Sequence, residues 1–329
     1  MAKADGGGAI RVIVPGALNT DIVAVGVPYL PSEGEDLYAR DLMITAGGKA
    51  RNIAEMIAVL AGPGTVAMLS RTSRDPFGLW RPPVEALEAA GVNTDCVFVT
   101  DYAEGGLFPG VALVSVDVAG RRIASISNAI LADFSAADID SARELLEAAA
   151  RNDGFLVLTL EIPMKTAAYA ISLAASLGVR VILDPGGLRH DAELDVLFGQ
   201  PIYLIKPNEH EAKLLSGIDV TDHESARRAA GILTERGAEN VLITHGAQGG
   251  YLIGDGICDH IPVPDHATAG QTDATGCGDQ VTAAVCASLC EGATLRSAAR
   301  FAIAAGTLQF SRVGVQPVTR ADMRAWTVR

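Results

Sequence analysis

The segment Asp273-Ala274-Thr275-Gly276-Cys277-Gly278-Asp279 carries small residues directly into a long apolar helical pattern. Small residues at such a start expose backbone N–H groups at the positive end of the helix, where an anion is stabilised. This arrangement suits the negative charge that develops on a transferred phosphoryl group, and Asp279 can accept the proton of a substrate hydroxyl. The same residues also fit a structural interpretation, in which Asp279 caps the helix and the glycines make the turn.

The segment Gly47-Gly48-Lys49-Ala50-Arg51-Asn52 also lies between a strand-like run and a helix. The two glycines allow the backbone to approach a polar ligand closely. Lys49 and Asn52 can donate hydrogen bonds to hydroxyl groups. Taken alone, the pattern is more often a turn followed by a helix cap.

Two further polar segments follow buried-strand signals. In Asn208-Glu209-His210-Glu211, Asn208 and Glu211 share one face of a helical turn and can hold a hydrated Mg²⁺. Asn-x-x-Glu is also a capping pattern, and on its own that interpretation is favoured. Thr244-His245-Gly246-Ala247-Gln248-Gly249 ends another strand and offers open backbone to a nucleotide.

An alternation of strand and helix signals must position these segments. Short β-branched or apolar runs predict buried strands at 10–14, 65–69, 155–160, 179–183, 202–205 and 241–244. Stretches with helical spacing predict helices at 53–60, 137–150, 166–177, 224–236, 281–289 and 295–310. The alternation indicates an α/β fold with a mainly parallel central sheet flanked by helices. Residues 21–46 and 107–127 lack intervening helices, so we expect them to form a small antiparallel β lid over a cleft.

Composition excludes several classes of protein. The chain has 329 residues, 49% of them hydrophobic and 20% charged, which is typical of a globular protein. A net charge of −13 argues against nucleic-acid and membrane-surface partners, but backbone amides can still hold a small phosphorylated ligand. No apolar run approaches the roughly 18 residues of a membrane span, and the start lacks a signal-peptide pattern. The five cysteines lack CxxC spacing, so we expect free thiols and a cytoplasmic enzyme.

Two common nucleotide-binding patterns are absent. No G-x-x-x-x-G-K-[ST] occurs, which excludes a P-loop NTPase. No G-x-G-x-x-G follows a strand with an acidic residue about 20 positions later, so a Rossmann dehydrogenase loses its best evidence.

Taken together and in order, the motifs resemble those of the ribokinase/PfkB family of carbohydrate kinases, most closely ribokinases. The resemblance runs from Pro15 to about Val318 and includes Glu291-Gly292-Ala293-Thr294-Leu295 and Gly314-Val315-Gln316-Pro317. It implies one ribokinase-like kinase domain over residues 1–329, with ATP and Mg²⁺ as cofactors.

The resemblance also implies residue roles. Asp279 would be the catalytic base, beside an anion hole of N–H groups from Gly276, Cys277 and Gly278. The acceptor would be bound by a mixture of carboxylates, amides and glycines, namely Asn19, Asp21, Gly47, Gly48, Lys49, Asn52 and Glu161. The nucleotide would contact Asn208, Thr244, Gly246 and Gly249, and Glu211 would hold Mg²⁺ through water.

The chain departs from the family pattern at several positions. Ala274 and Cys277 stand where Thr or Ser and Ala are more frequent, and the Cys277 thiol is expected to have a lowered pKa at the helix start. Arg51 replaces a small residue; it either favours an anionic substrate or is a surface helix residue whose stem packs locally. Ile303 stands where ribokinases often have Asn, so we expect a more apolar base pocket.

A monovalent-cation loop is a further implication of the resemblance. Asp273, Thr275 and Gly314 fit such a loop, but Val318 replaces a commonly polar residue. Potassium is therefore an expected cofactor whose necessity the sequence leaves open.

The sequence thus predicts an ATP-dependent kinase that phosphorylates a primary hydroxyl of a pentose-like sugar, with ribose favoured. The alternatives are a nucleoside, inositol or sugar-phosphate kinase of the same family, for which Arg51 and residues 27–40 leave room. A further alternative, from outside the enzymes, is a non-catalytic ligand-binding regulator on this scaffold. We expect a homodimer, because the small sheet would otherwise expose a face and edges.

Overall fold

A nine-stranded sheet forms the centre of the computed structural model, which describes residues 9–188, 194–254, 256–264 and 273–327. The start of the chain, on which the expectation about a signal peptide rests, lies outside the described residues. Across the sheet the order is β13-β12-β11-β10-β9-β8-β1-β4-β5. These strands are β1 (Val12–Pro15), β4 (Val66–Arg74), β5 (Asn93–Asp101), β8 (Phe155–Thr159), β9 (Arg180–Asp184), β10 (Ile202–Ile205), β11 (Ala238–Thr244), β12 (Gly250–Gly254) and β13 (Ile257–Ile261). All neighbours from β11 to β5 pair in parallel, and β12 and β13 add an antiparallel edge.

A separate four-stranded sheet is built from the two segments that lack helices. Its order is β3-β2-β6-β7, with β2 (Asn19–Val27), β3 (Asp41–Gly47), β6 (Gly110–Asp117) and β7 (Arg122–Ser127). The β2–β3 and β6–β7 pairs are antiparallel, as predicted, whereas the central β2–β6 pair is parallel. The parallel pair follows from the chain path, because β4 and β5 of the large sheet are built between β3 and β6.

The helices cover both faces of the central sheet. They are α1 (Lys49–Ala61), α2 (Arg81–Ala89), α3 (Ala136–Ser141), α4 (Arg143–Arg151), α5 (Met164–Ser176), α6 (Glu209–Ser216), α7 (His223–Glu235), α8 (Cys277–Cys290), α9 (Leu295–Phe310) and α10 (Arg320–Thr327). The prediction of one helix over 137–150 is wrong: the Ala142 N–H donates to Ile139 in a tight i→i−3 turn that separates α3 from α4.

Two hydrophobic cores lie on opposite faces of the central sheet. Val12 and Val14 of β1 pack with residues of α1, α8 and α9, whereas Ile13 packs with residues of α4, α5 and α7. Successive strand residues point to opposite faces, so a strand buried on both sides must be apolar throughout, as β1 is. None of the helices in the described ranges is both long enough and apolar enough to span a bilayer.

Candidate active site

The polar residues of interest follow the carboxyl ends of neighbouring parallel strands. Glu161 comes just after β8, Asp184 ends β9, Lys206 follows β10 and Thr244 ends β11. Because parallel strands end at the same edge of a sheet, these four residues from distant parts of the sequence meet there. The N-termini of α1 and α8 complete the site.

Asp279 lies in the first turn of α8 and is only 4% exposed. Lys49 Nζ donates to its Oδ1 at 2.9 Å, and Asn52 Nδ2 donates to its Oδ2 at 2.8 Å. Lys49 and Asn52 are three residues apart on α1 and therefore share one face of that helix. Burial alone would lower the pKa of Lys49, but the charges of Asp279 and Asp184 raise it above its usual value. The ammonium group thus stays charged beside the carboxylate.

The small sheet brings Asp21 against the glycine pair. A Cβ at Gly47 would lie 2.0 Å from Asp21 Oδ1, so any larger residue there would push the Asp21 carboxylate out of its position. Gly48 has a φ of +94°, and a Cβ there would lie 2.5 Å from the Ala17 carbonyl oxygen. Burial raises the pKa of Asp21, although nearby guanidinium groups oppose the shift. Asn19 precedes Asp21 on β2, is 3% exposed, and its Oδ1 has no hydrogen-bond partner within the described residues.

Glu161 holds the start of α1. Its Oε1 accepts from the Lys49 N–H at 3.2 Å, and its Oε2 accepts from the Ala50 N–H at 3.1 Å and from Thr159 Oγ1 at 3.2 Å. Burial raises the pKa of Glu161, opposed by these backbone N–H groups and by the charge of Lys49. The carboxylate therefore satisfies N–H groups that a helix start leaves unpaired.

A buried ion pair that sequence reasoning missed lies behind Lys49. Asp184 is fully buried, and its Oδ2 accepts from Lys206 Nζ at 3.1 Å and from Thr282 Oγ1 at 2.6 Å. The Gly186 N–H donates to its Oδ1 at 2.9 Å. Burial alone would raise the pKa of Asp184, but Lys206 and Lys49 lower it to about 2. The available signal was the position of Asp184 between a buried strand and Pro185, at the strand edge that carries the other polar residues.

A cavity of about 500 Å³ opens beside these charges. Its volume suits a small-molecule ligand. The four residues predicted to bind a nucleotide all line it, namely Asn208, Thr244, Gly246 and Gly249. Lys49 and Lys206 lie at its polar end, and its apolar wall includes Val263, Val281, Ile303 and Phe310. Ile303 thus contributes to an apolar wall, as its sequence position predicts.

Asn208 and Glu211 form a reciprocal capping box at the start of α6. Asn208 Oδ1 accepts from the Glu211 N–H at 2.8 Å, and Glu211 Oε2 accepts from the Asn208 N–H at 2.9 Å. Glu211 also lines the cavity. Across the described ranges, no group of three or more His, Cys, Asp or Glu side chains is arranged to hold a metal ion. A divalent ion here would therefore depend on water and ligand oxygens as well as Glu211, which is the usual situation for Mg²⁺.

The N-terminus of α8 begins after Gly276, whose φ is +75°. The Cys277 N–H donates to the Ala274 carbonyl at 3.3 Å, while the Gly276 and Gly278 N–H groups make no hydrogen bond to another described residue. The expectation of a lowered thiol pKa is wrong. Burial and the charges of Asp273 and Asp279 raise the pKa of Cys277 to about 12, outweighing the helix start.

Comparison with known proteins extends over nearly the whole chain. Residues 10–321 match the model of the pfkB family carbohydrate kinases. The chain belongs to the pfkB family of carbohydrate kinases. It is 28% identical over 309 residues to a ribokinase of Haemophilus influenzae, covering 92% of this chain and 93% of the relative. It is 30% identical over 251 residues to a deoxyribokinase of Salmonella typhi, covering 76% of each.

A solved structure supports the same assignment for this pfkB-family kinase. The structure of Arabidopsis thaliana ribokinase complexed with ribose and ATP aligns with a TM-score of 0.81 and 28% identity, covering 97% of this chain and 99% of that one. The protein is thus a kinase with a ribokinase-like fold, a phosphotransferase whose acceptor is an alcohol group.

In this pfkB-family kinase, Arg51 is not a surface residue, and that prediction is wrong. It is 2% exposed and donates to Glu55 Oε2 at 2.5 Å and to the Ala46 carbonyl at 3.0 Å. It also donates to Asn52 Oδ1, which turns the Asn52 Nδ2 toward Asp279. Arg51 therefore positions another residue of the site, and Glu55 balances its charge.

The residues predicted for a monovalent cation do lie together. The Asp273 carboxylate accepts from the Thr275 N–H and the Gly314 N–H, each at 2.8 Å. The carbonyls of Thr275 and Gly314, however, both accept hydrogen bonds from the side chain of Gln309. The oxygen atoms that a cation would need are therefore engaged by the protein itself.

Proposed function

We propose that this pfkB-family kinase transfers the γ-phosphate of ATP to a primary hydroxyl of a pentose-like sugar, with ribose favoured. One observation carries the proposal. The buried carboxylate of Asp279 is held by Lys49 and Asn52 between the polar residues of the small sheet and the cavity. Relatives named ribokinase and deoxyribokinase, and a similar structure holding ribose and ATP, support this choice of substrates.

The acceptor is assigned to the space bounded by Asn19, Asp21, Gly47, Gly48 and Asn52. A sugar hydroxyl both donates and accepts, so it needs carboxylate and amide partners together. The unpartnered and buried Oδ1 of Asn19 supports this assignment, because a buried acceptor is costly until a donor reaches it. Glu161 acts indirectly, by fixing the first turn of α1.

The nucleotide is assigned to the cavity of about 500 Å³. Its base would lie against the apolar wall that contains Ile303 and Phe310, and its phosphates would approach Lys49 and Lys206. Gly246 and Gly249 leave space for the ligand beside the end of β11. Asn208 and Glu211 would hold Mg²⁺ through water, and this ion would supply neutralisation of phosphate charge.

In the proposed reaction, Asp279 takes the proton of the acceptor hydroxyl as its oxygen bonds to the γ-phosphorus. The bond from that phosphorus to the β–γ bridging oxygen breaks, and ADP leaves. The N–H groups of Gly276 and Gly278, and that of Cys277 when it leaves the Ala274 carbonyl, are assigned to the developing negative charge. We assign the small sheet, within residues 21–46 and 107–127, the role of a lid that excludes water which would otherwise hydrolyse ATP.

The decisive experiment compares Asp279→Asn with Asp219→Asn, a control at an exposed surface ion pair. We expect Asp279→Asn to lose at least about a thousandfold in kcat while still binding ATP in calorimetry. Asp219→Asn should retain full activity. Turnover by Asp279→Asn within a few-fold of the wild type would refute the assignment of the base.

An acceptor panel tests the substrate. Ribose, deoxyribose, fructose, nucleosides, inositol and sugar phosphates are each supplied with ATP, and ADP release is measured. Ribose should give the highest kcat/KM. A nucleoside or inositol preference would overturn the acceptor but keep the kinase, whereas no turnover with tight ligand binding would indicate a regulator.

A second candidate acceptor is a sugar that carries an anionic group. Arg122 of the small sheet has its Nη1 3.5 Å from Thr275 Oγ1, and its charge opposes the rise that burial causes in the pKa of Asp21. It therefore places a positive charge close to the acceptor space. A sugar phosphate could pair with this guanidinium. If that candidate is right, Arg122→Ala raises KM for sugar phosphates and leaves KM for ribose unchanged.

We also propose a homodimer through the small sheet. Strand register places Leu42, Ile44, Leu113 and Ile123 on the face opposite Asp21, each more than half exposed. A contiguous apolar face of this kind usually marks a protein interface. Light scattering should give a dimer for the wild type and a monomer for Leu113→Glu; a monomeric wild type would refute the proposal.

A further inference from the structure

The side chain of Gln309 bridges two loops beneath the start of α8. Gln309 is the penultimate residue of α9 and is fully buried. Its Nε2 donates to the Gly314 carbonyl at 2.7 Å and to the Thr275 carbonyl at 3.3 Å. A primary amide carries two N–H bonds, so both are used, while its Oε1 has no partner in the part of the chain that the structure describes.

The loop also has its charge balanced from within the protein. Both oxygens of the Asp273 carboxylate accept backbone N–H groups, from Thr275 and Gly314. Burial alone would raise the pKa of Asp273, but these hydrogen bonds and the nearby charge of Arg122 lower it. Arg122 itself lies against Thr275. The carboxylate is therefore stabilised without a bound ion.

A potassium ion is held in proteins by oxygen atoms, above all backbone carbonyls that replace its hydration shell. In this chain the carbonyls of Thr275 and Gly314, two residues of the expected cation loop, already accept from the buried Gln309 amide. A cation bound between them would compete with the Gln309 nitrogen, which bridges the same two oxygen atoms. Losing the partners of a buried donor is costly. The residues present therefore do not fit a monovalent-cation site.

We propose that the Gln309 amide takes the place of a monovalent cation and keeps the Asp273–Asp279 loop ordered, so that this enzyme does not depend on potassium. The proposal rests on the proposed kinase reaction only for its activity readout. It makes Gln309 a positioning residue, since it holds the carbonyl before Gly276 and so fixes the N–H groups at the start of α8.

The first test compares ion conditions. ATP-dependent phosphorylation of ribose and the Tm are measured in potassium chloride and in tetramethylammonium chloride at equal ionic strength. We expect kcat to agree within about twofold, equivalent to less than about 0.5 kcal/mol in the activation barrier. We also expect the same Tm in both salts, because an ion that does not bind the native state does not stabilise it.

The second test removes the amide. Gln309→Ala frees the two carbonyls, so we expect kcat in tetramethylammonium chloride to fall about tenfold or more and to recover in part with potassium. Its Tm should then rise with potassium concentration. The matched control is Gln316→Ala, because Gln316 is exposed and its amide donates to a single carbonyl, that of Val313. This control should behave as the wild type does in both salts.

Three outcomes would overturn the proposal: wild-type activity stimulated more than about threefold by potassium, a wild-type Tm that rises specifically with potassium, or Gln309→Ala indistinguishable from Gln316→Ala. If Gln309→Ala does not fold, Gln309→Met keeps the volume and removes the donors, and the same readouts apply. A protein inactive on every acceptor would refute the proposed function alone, because the Tm comparison tests the cation site independently.

Discussion

Lys206→Met tests the buried ion pair behind the site. Lys206 is 3% exposed and Asp184 is fully buried, so neither charge has water to replace its partner. The substitution keeps most of the aliphatic volume and removes the ammonium group. Asp184 then retains two hydrogen bonds, from the Thr282 hydroxyl at 2.6 Å and the Gly186 N–H at 2.9 Å, and the nearby charge of Lys49.

Removing one partner of a buried pair destabilises a protein by about 3–5 kcal/mol. Because two hydrogen bonds to Asp184 remain, we expect the lower end, about 3 kcal/mol. For 329 residues the unfolding entropy is about 0.7 kcal/mol/K, so Tm should fall by about 4 °C. Differential scanning calorimetry at pH 7 measures this shift.

The effect should depend on pH in a defined direction. Lys206 and Lys49 overcome the effect of burial and lower the pKa of Asp184 from 3.8 to about 2. A depressed carboxyl pKa contributes stability that is complete above 3.8 and is lost as pH falls through about 2. The difference in the free energy of unfolding between wild type and Lys206→Met should therefore be constant from pH 7 to pH 5. At pH 3 this difference should be smaller by about 1 kcal/mol.

The control is Lys213→Met, which breaks a 2.7 Å pair with Asp219 on the surface. Both side chains are more than half exposed, so we expect Lys213→Met to lower the free energy of unfolding by less than about 1 kcal/mol. Adding Asp184→Asn to Lys206→Met should recover at least half of the lost Tm, because no unpaired charge stays buried. If Lys206→Met lowers Tm no more than Lys213→Met does, the reasoning about burial is refuted.

Three further predictions concern single side chains of the site. Iodoacetamide at neutral pH should label exposed Cys258 long before Cys277, whose thiol pKa is raised to about 12; equal labelling by mass spectrometry would contradict this. Ile303→Ala should raise KM for ATP about tenfold through lost apolar contact and leave KM for ribose unchanged; a changed ribose KM alone would place the base elsewhere. Arg51→Leu should lower kcat about tenfold, because Asn52 loses its orientation. Adding Glu55→Leu to Arg51→Leu removes the carboxylate that has lost its partner, so it should restore Tm but not kcat. If both Tm and kcat recover, Arg51 contributes only to stability.

The order of layers was predictable because each central strand is buried on both faces. β1 and β8 are apolar almost throughout, and β9 and β11 contain the apolar runs 181–183 and 241–243, as strands of a parallel sheet covered on both sides do. The small sheet was predictable for the opposite reason, because its segments lack any helical spacing. The edge strands β12 and β13 and the break between α3 and α4 depend on local hydrogen bonds that leave no periodic signal.

The site was predictable where one motif carries its own geometry. Asp279 and Gly276 are three residues apart in the first turn of one helix, so their relation needs no tertiary information. Asp184 pairs with Lys206 and Thr282, which are 22 or more residues away, and Gln309 joins nearby Gly314 to Thr275 across 34 residues. A pattern within a short window cannot show such long-range contacts. The error on Arg51 has the same origin, since helix position alone does not tell whether the small sheet covers that face.

The negative charge of the chain is compatible with a phosphate ligand because both lysines that line the cavity are already paired with carboxylates. Lys49 faces Asp279 and Lys206 faces Asp184, so the two ammonium groups add no net charge to the cavity. Attraction by excess positive charge therefore cannot be what holds a polyphosphate here. The remaining donors are N–H groups at the start of α8, which are fixed dipoles and need no counter-charge. Their orientation depends on the loop that Asp273 and Gln309 hold, so ordering of the backbone takes the place of a basic surface.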